Sequence, residues 1–148
     1  MTADLNIRAA TQADLETVRE LWEAFYTEWP EPPHRQKTWD DIADDVSRAI
    51  DESVVLIAEE GGPAVGFALG WRHPQNPRVG YLSDLYVRPD FRRRGIGRAL
   101  IAEAAAGLER EYVVLTTETR NQPARAYYGG LGFEEESVNL VIRSEALT

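Results

Sequence analysis

Apolar and polar positions alternate over Leu5-Asn-Ile-Arg-Ala, the period of a half-buried strand. The period then lengthens. Leu15, Val18, Leu21, Trp22, Phe25, Tyr26 and Trp29 recur at helical spacing, and Thr11 sits three residues ahead of Asp14 as a capped start. Three prolines in residues 30–37 break the pattern, so this stretch is expected to be a loop between two helices. Thr38 can cap the second helix, whose apolar face is Trp39, Ile42, Val46 and Ile50. Its carboxylates, Asp40, Asp41, Asp44 and Asp45, read as a solvated face and not a metal cluster. Val54 to Glu60 and Ala64 to Arg72 flank Gly61-Gly62-Pro63, which predicts an antiparallel hairpin.

After the loop His73-Pro-Gln-Asn-Pro, residues 81–87 form a further predicted strand. A helix over 97–111 buries Leu100, Ile101, Ala104, Ala105 and Leu108, and a strand follows over 112–117. A strand–helix–strand crossover makes residues 82–87 and 112–117 parallel neighbours, with a crevice where they diverge. Asn121 and Pro123 open a short helix carrying Ala124, Tyr127, Tyr128 and Leu131. Residues 133–136 and 139–143 read as a closing pair of strands. The expectation is a single α/β (α+β) domain over 1–148, with a mixed sheet of about six to seven strands and about four helices.

The chain is organised around residues 81–98. Pro89 ends the strand, and Arg92-Arg-Arg-Gly-Ile-Gly-Arg98 runs directly into a helix of strong formers. The first N–H groups of a helix have no internal partners and sit at the positive end of its dipole. Gly95 and Gly97 leave the backbone open to a ligand, and the arginines add forked cationic donors. The combination is a phosphate-binding arrangement. Its spacing is neither that of the lysine-containing phosphate loop nor that of the dinucleotide fingerprint.

Charge sharpens this picture. The chain carries a net charge of −9, which argues against nucleic acid as a partner, yet five of its arginines fall between Arg88 and Arg98. A basic patch on an acidic body suits an anionic cofactor. No apolar run is long enough for a membrane span, the N-terminus lacks signal-peptide character, and a cytoplasmic location is expected. The sequence has no cysteine, so a thiol nucleophile and an acyl-cysteine intermediate are excluded. No metal is expected.

Val87-x-Pro89 with Arg92-x-x-Gly95-x-Gly97 resembles the coenzyme A pyrophosphate loop of the GNAT superfamily of acyl-CoA-dependent N-acetyltransferases. A second match follows in the right order: Asn121-x-x-Ala124, Tyr128 and Gly132-Phe133. The resemblance implies the GNAT fold, with acetyl-CoA as co-substrate held along Leu85, Tyr86 and Val87 and by Arg92, Arg93, Arg94, Gly95, Ile96, Gly97 and Arg98. A backbone N–H near residues 85–87 would meet the thioester carbonyl, and pantetheine would pair there like an added strand. Asn121 is a cofactor contact or a helix cap. Tyr128 corresponds to the tyrosine that protonates the departing thiolate, with Tyr127 as its competitor, since adjacent helical residues point about 100° apart.

The general base is less well marked. Polyamine-type relatives often carry glutamate where this chain has Ser83. Asp84 is next in line, but on a regular strand it points to the opposite face unless a bulge re-aims it. Glu28 and a water chain are further options. Residues 30–37 frame the acceptor pocket or form a plain connection, and Trp71 and His73 face an acceptor or pack in the hairpin. The expected reaction is direct acetyl transfer to a primary amine of a small molecule. A protein N-terminus or lysine as acceptor, a non-catalytic acyl-CoA-binding module, and a homodimer stay open.

Overall fold

In the computed structural model, which describes residues 4–147, the alternation at Leu5 becomes strand β1 (Leu5–Ala9). Thr11 and Asp14 then form a capping box around a single 3₁₀ turn, Thr11 N–H donating to Asp14 Oδ2 at 2.8 Å. Helix α1 (Leu15–Glu28) follows. Arg8 reaches across to grip both Asp14 oxygens at 2.8 Å and Glu59 at 3.1 Å, and holds the Asp14 carboxyl well below the usual carboxylate range. Thr38 repeats the capping box with Asp41 and starts α2 (Trp39–Glu52). Between the helices lies a loop with a 3₁₀ turn at Pro33–Arg35.

Strands β2 (Val54–Glu60), β3 (Ala64–Arg72), β4 (Val79–Val87) and β5 (Tyr112–Leu115) join β1 in one sheet of order β1-β2-β3-β4-β5. Neighbours are antiparallel except β4 and β5, which the crossover through α3 (Ile96–Leu108) makes parallel. Each face of the sheet has its own core. Val55, Ile57, Phe67, Leu69 and Tyr86 pack with Val18, Leu21, Trp22, Trp39 and Val46 of α1 and α2. Val54, Leu56, Val65 and Leu82 pack with Ile96, Leu100, Ala104 and Leu108 of α3. The acidic side of α2 is exposed, as its spacing predicted.

The chain contacts define two compact units, Met1–Leu115 and Thr116–Thr148. The second contains α4 (Gln122–Gly130) and a 3₁₀ turn at Ser144–Leu147. Here the structure corrects the strand count: five strands are present among the described residues, and neither 133–136 nor 139–143 is one of them. The last paired residue of β5 is Leu115. Glu135 is drawn instead to Arg125 of α4, whose guanidinium reaches both its oxygens at 2.7 and 3.0 Å. Alternation alone does not make a strand when no ladder partner is in place.

Close packing gives a test of stability. A Cβ on buried Gly66 would lie 2.6 Å from the Tyr86 carbonyl oxygen, a backbone atom that cannot rotate away. Gly66→Ala is therefore expected to lower unfolding free energy by about 1–3 kcal/mol. Gly129, in α4, has nothing within 4 Å of the same position. Gly129→Ala is expected to be neutral or to stabilise by up to about 1 kcal/mol. Denaturant midpoints of the two variants check the contrast.

Candidate active site

Strand β4 does not keep its register with β3. Leu69 pairs with Asp84 and Gly70 with Leu82, so Ser83 is an extra residue, a β-bulge. The side chains report the same break. Leu82, Leu85 and Val87 all lie on the α3 side, an interval of three between the first two, whereas Tyr86 belongs to the α1–α2 side. The bulge thus brings Ser83 and Asp84 together. Ser83 Oγ lies 2.9 Å from Asp84 Oδ2 and 3.2 Å from the Leu69 carbonyl, and it accepts from Trp71 Nε1 at 3.1 Å.

Asp84 is half-buried, with enough protein packed round it that desolvation raises its pKa above the ordinary carboxylate range. The Ser83 hydroxyl and the Lys37 charge oppose the shift, and Glu31 adds to it. Tyr26 belongs to the same neighbourhood. Burial, Glu31 and Asp84 together push its phenol up to about 12. Tyr26 also lines a cleft of about 390 Å³, with Pro30, Glu31, Gln36, Lys37, Thr38 and Asp41. The loop 30–37 forms one wall of this cleft. Tyr26 is fixed by stacking on Trp22 with ring centroids 4.0 Å apart, while Phe25 stacks on Tyr86 at 5.3 Å.

Past the bulge, β4 runs alone on one side. Its pairing with β5 ends at Leu82 opposite Leu115, although β4 continues to Val87. Asp84 to Val87 therefore present a backbone edge that β5 does not cover. A 3₁₀ turn at Pro89–Phe91 then turns the chain toward α3. Gly95 occupies the N-cap position with φ of 81°, in the left-handed region that glycine tolerates. Having no side chain, it cannot cap through one, and the first N–H groups of a 13-residue helix receive no side-chain acceptor from it. Arg93, with φ of 65°, takes the left-handed form without being glycine, a conformation that costs energy and concentrates at functional sites.

The arginines divide into two groups. Arg92 donates through Nε to the Val87 carbonyl at 2.9 Å and grips both oxygens of Glu28, at the end of α1, at 2.7 and 2.8 Å. Arg94 pairs with Glu60 at 2.9 Å. Arg93 and Arg98 make no ion pair among the described residues and are exposed. Glu28 also lies beside the Tyr86 hydroxyl, whose pKa rises through burial first and that carboxylate second.

In the second unit, Asn121 caps α4, its Oδ1 accepting from Ala124 N–H at 3.2 Å, with Pro123 in the first turn. The two tyrosines part as helical geometry requires. Tyr127 is 43% exposed, whereas Tyr128 packs edge-on to Phe133 at 5.8 Å. Phe133 N–H donates to the Tyr128 carbonyl, and Gly132 makes the turn between them with φ of 104°. Burial pushes the Tyr128 phenol up to about 12, with a smaller push from Tyr127, so it stays protonated at neutral pH.

Sequence reasoning missed the Trp71–Ser83 contact and the Glu28–Arg92 pair. Both join residues distant in sequence, and no local spacing signals either. Among the described residues no helix is long and apolar enough to cross a membrane, and no cluster of three His, Asp or Glu could hold a metal.

A family model described as the acetyltransferase (GNAT) family matches residues 15–133. An N-acetyltransferase of Methanocaldococcus jannaschii, described as uncharacterized, is 32% identical over 139 residues, covering 89% of this chain and 62% of its own. The mycothiol acetyltransferase of Streptomyces bingchenggensis is 35% identical over 98 residues, 64% of this chain and 32% of that one. The chain thus spans less than two thirds of the length of these curated relatives. Among solved structures, the aminoglycoside N-acetyltransferase AAC(6')-Iy in complex with CoA aligns with a TM-score of 0.74 and 26% identity over 97% of each chain.

Proposed function

The chain belongs to the GNAT acetyltransferase family, and from that premise we propose that it transfers an acetyl group from acetyl-CoA directly to a primary amine of a small molecule. The observation that carries the reading lies in β4. The strand parts from β5 after Leu82, holds Asp84 within electrostatic reach of Glu31 and Lys37, which line a cleft, and leads within a few residues to the glycine-led start of α3.

Acetyl-CoA supplies the acetyl group as a thioester. An anionic pyrophosphate fits the N–H groups of Ile96, Gly97 and Arg98 and the free guanidiniums of Arg93 and Arg98. Arg92 and Arg94, tied to carboxylates, hold the loop in shape and add their charge. The open edge over Leu85, Tyr86 and Val87 suits the amide-bearing pantetheine arm, and a backbone N–H there is the donor for the thioester carbonyl. Asn121 serves as cap and cofactor contact. Asp84 takes a proton from the acceptor's ammonium, and the neutral amine so formed bonds to the acetyl carbon. Tyr128 gives its phenolic proton to the sulfur as the carbon–sulfur bond breaks, and the surplus proton left on the acylated nitrogen restores the phenol. With no cysteine in the chain, the acetyl group passes to the amine in a ternary complex.

AAC(6')-Iy is named for aminoglycosides, polyamines in the chemical sense. The cleft here sets Glu31, Asp41 and nearby Asp84 against Lys37 and the Arg35 that pairs with Glu31, a net negative balance that suits a cationic small acceptor. Thiol release from acetyl-CoA against aminoglycosides, polyamines, amino-acid amides and N-terminal peptides tests the reading. Turnover is expected with a small-amine class. Turnover with peptides alone would reassign the acceptor. A raised melting temperature with acetyl-CoA but no turnover with any amine would reduce the protein to an acyl-CoA-binding module.

A further inference from the structure

The bulge does more than turn Asp84. It aligns three polar groups from two strands: Trp71 Nε1 of β3, then Ser83 Oγ and Asp84 Oδ2 of β4, at successive separations of 3.1 and 2.9 Å. A serine hydroxyl has one proton and two lone pairs. The indole N–H occupies a lone pair, which orients the oxygen. The proton then has two acceptors within reach, Asp84 Oδ2 at 2.9 Å and the Leu69 carbonyl at 3.2 Å, and it serves one at a time. An ionised carboxylate is the stronger acceptor and the closer one.

We propose that Ser83 is a positioning residue for acetyl transfer: its hydroxyl, oriented by Trp71, holds the ionised Asp84 at Oδ2 and leaves Oδ1 for the acceptor's ammonium. The inference rests on Asp84 being the base. Among the described residues the hydrogen bond to Asp84 reaches Oδ2 and not Oδ1. Once Oδ1 has taken the acceptor's proton, Oδ2 is a neutral carbonyl and the Leu69 oxygen becomes the better partner for the hydroxyl. The serine never loses its proton. It secures the carboxyl most firmly in the charged form that must accept a proton. The other groups acting on Asp84 are Lys37, which favours its charge, and Glu31, which opposes it, with the Tyr26 hydroxyl also in its field.

Two readouts test this: the pH titration of the Asp84 carboxyl by ¹³C NMR, assigned by its absence in Asp84→Asn, and the pH profile of kcat/KM with the best amine of the panel. Ser83 is exposed, so its variants should fold. Ser83→Ala is expected to raise the Asp84 midpoint by about one pH unit, the size of one hydrogen bond to a charged group. The acid limb of kcat/KM should move with it, with KM for acetyl-CoA unchanged. Trp71→Phe should give a smaller shift in the same direction, and Ser83→Thr should restore the wild-type profile. An unmoved midpoint in Ser83→Ala overturns the inference. So does a midpoint that moves while the rate profile stays. Asp84→Asn tells the two failures apart: retained activity means the base has been misassigned, whereas lost activity with an unaltered Ser83→Ala means that Ser83 alone has been misread.

Discussion

Asp84→Asn is expected to lower kcat/KM by about 10²–10⁴-fold, the usual contribution of a positioned general base, while making the protein more stable at neutral pH. The two effects share one cause. Desolvation raises the Asp84 pKa in the folded state, so the folded protein favours the neutral carboxyl. The sign follows. Relative to an unfolded aspartate near about 3.9, the favourable contribution is complete below that pH and is lost as pH rises through the raised folded value. Wherever wild-type Asp84 is ionised it is a held, partly desolvated charge, which Asn removes at nearly equal size. Thermal melts from about pH 4 to pH 8 should show the variant's advantage shrinking toward acid. In the wild-type enzyme kcat/KM should rise with pH along a limb above the ordinary carboxylate range. A variant with wild-type turnover would move the base role to Glu28 or to water.

Tyr128→Phe is expected to lower kcat by about 10²-fold with little change in KM for acetyl-CoA. The substitution keeps the ring and its edge-on contact with Phe133 and removes only the hydroxyl. Burial places the phenol at about 12, so it is the proton-bearing form across the working range, and no alkaline limb from its ionisation should appear near neutrality. A thiolate whose free thiol titrates near about 8.5 is a weaker base than this phenolate, but burial penalises a thiolate as it does a phenolate, which narrows the difference at the moment of transfer. Single-turnover kinetics separates the chemical step from release. Unchanged kcat would leave Tyr128 a packing residue. Tyr127→Phe, at the exposed neighbour, should have little effect.

Both predictions depend on features that were unequally legible in the sequence. The element order, the parallel β4–β5 pair and the loop before α3 were readable because each rests on local rules: a period, a proline, a glycine pair. That Tyr127 and Tyr128 part on α4, one exposed and one packed, was readable too, from the roughly 100° step of a helix. The bulge was not. The seven residues from Tyr81 to Val87 alternate acceptably in either register, and only pairing with β3 reveals that Ser83 is extra. Without that pairing, Asp84 looked misdirected. The overcounted strands show the converse. Asn139 to Arg143 has strand-like composition, but Leu140 is 92% exposed, because apolar alternation states a need for a partner and does not supply one.

The Glu28–Arg92 fork joins the last residue of α1 to the loop ahead of α3. Glu28 closes the helix that carries Tyr26, and Arg92 belongs to the loop that would meet pyrophosphate. On the proposed function a bound anion and Glu28 would compete for one guanidinium, and the binding of the two substrates would be tied together. Whatever factor coenzyme binding applies to acceptor affinity, the acceptor must return to the coenzyme. Cutting the fork with Glu28→Gln would change that shared factor in both directions at once.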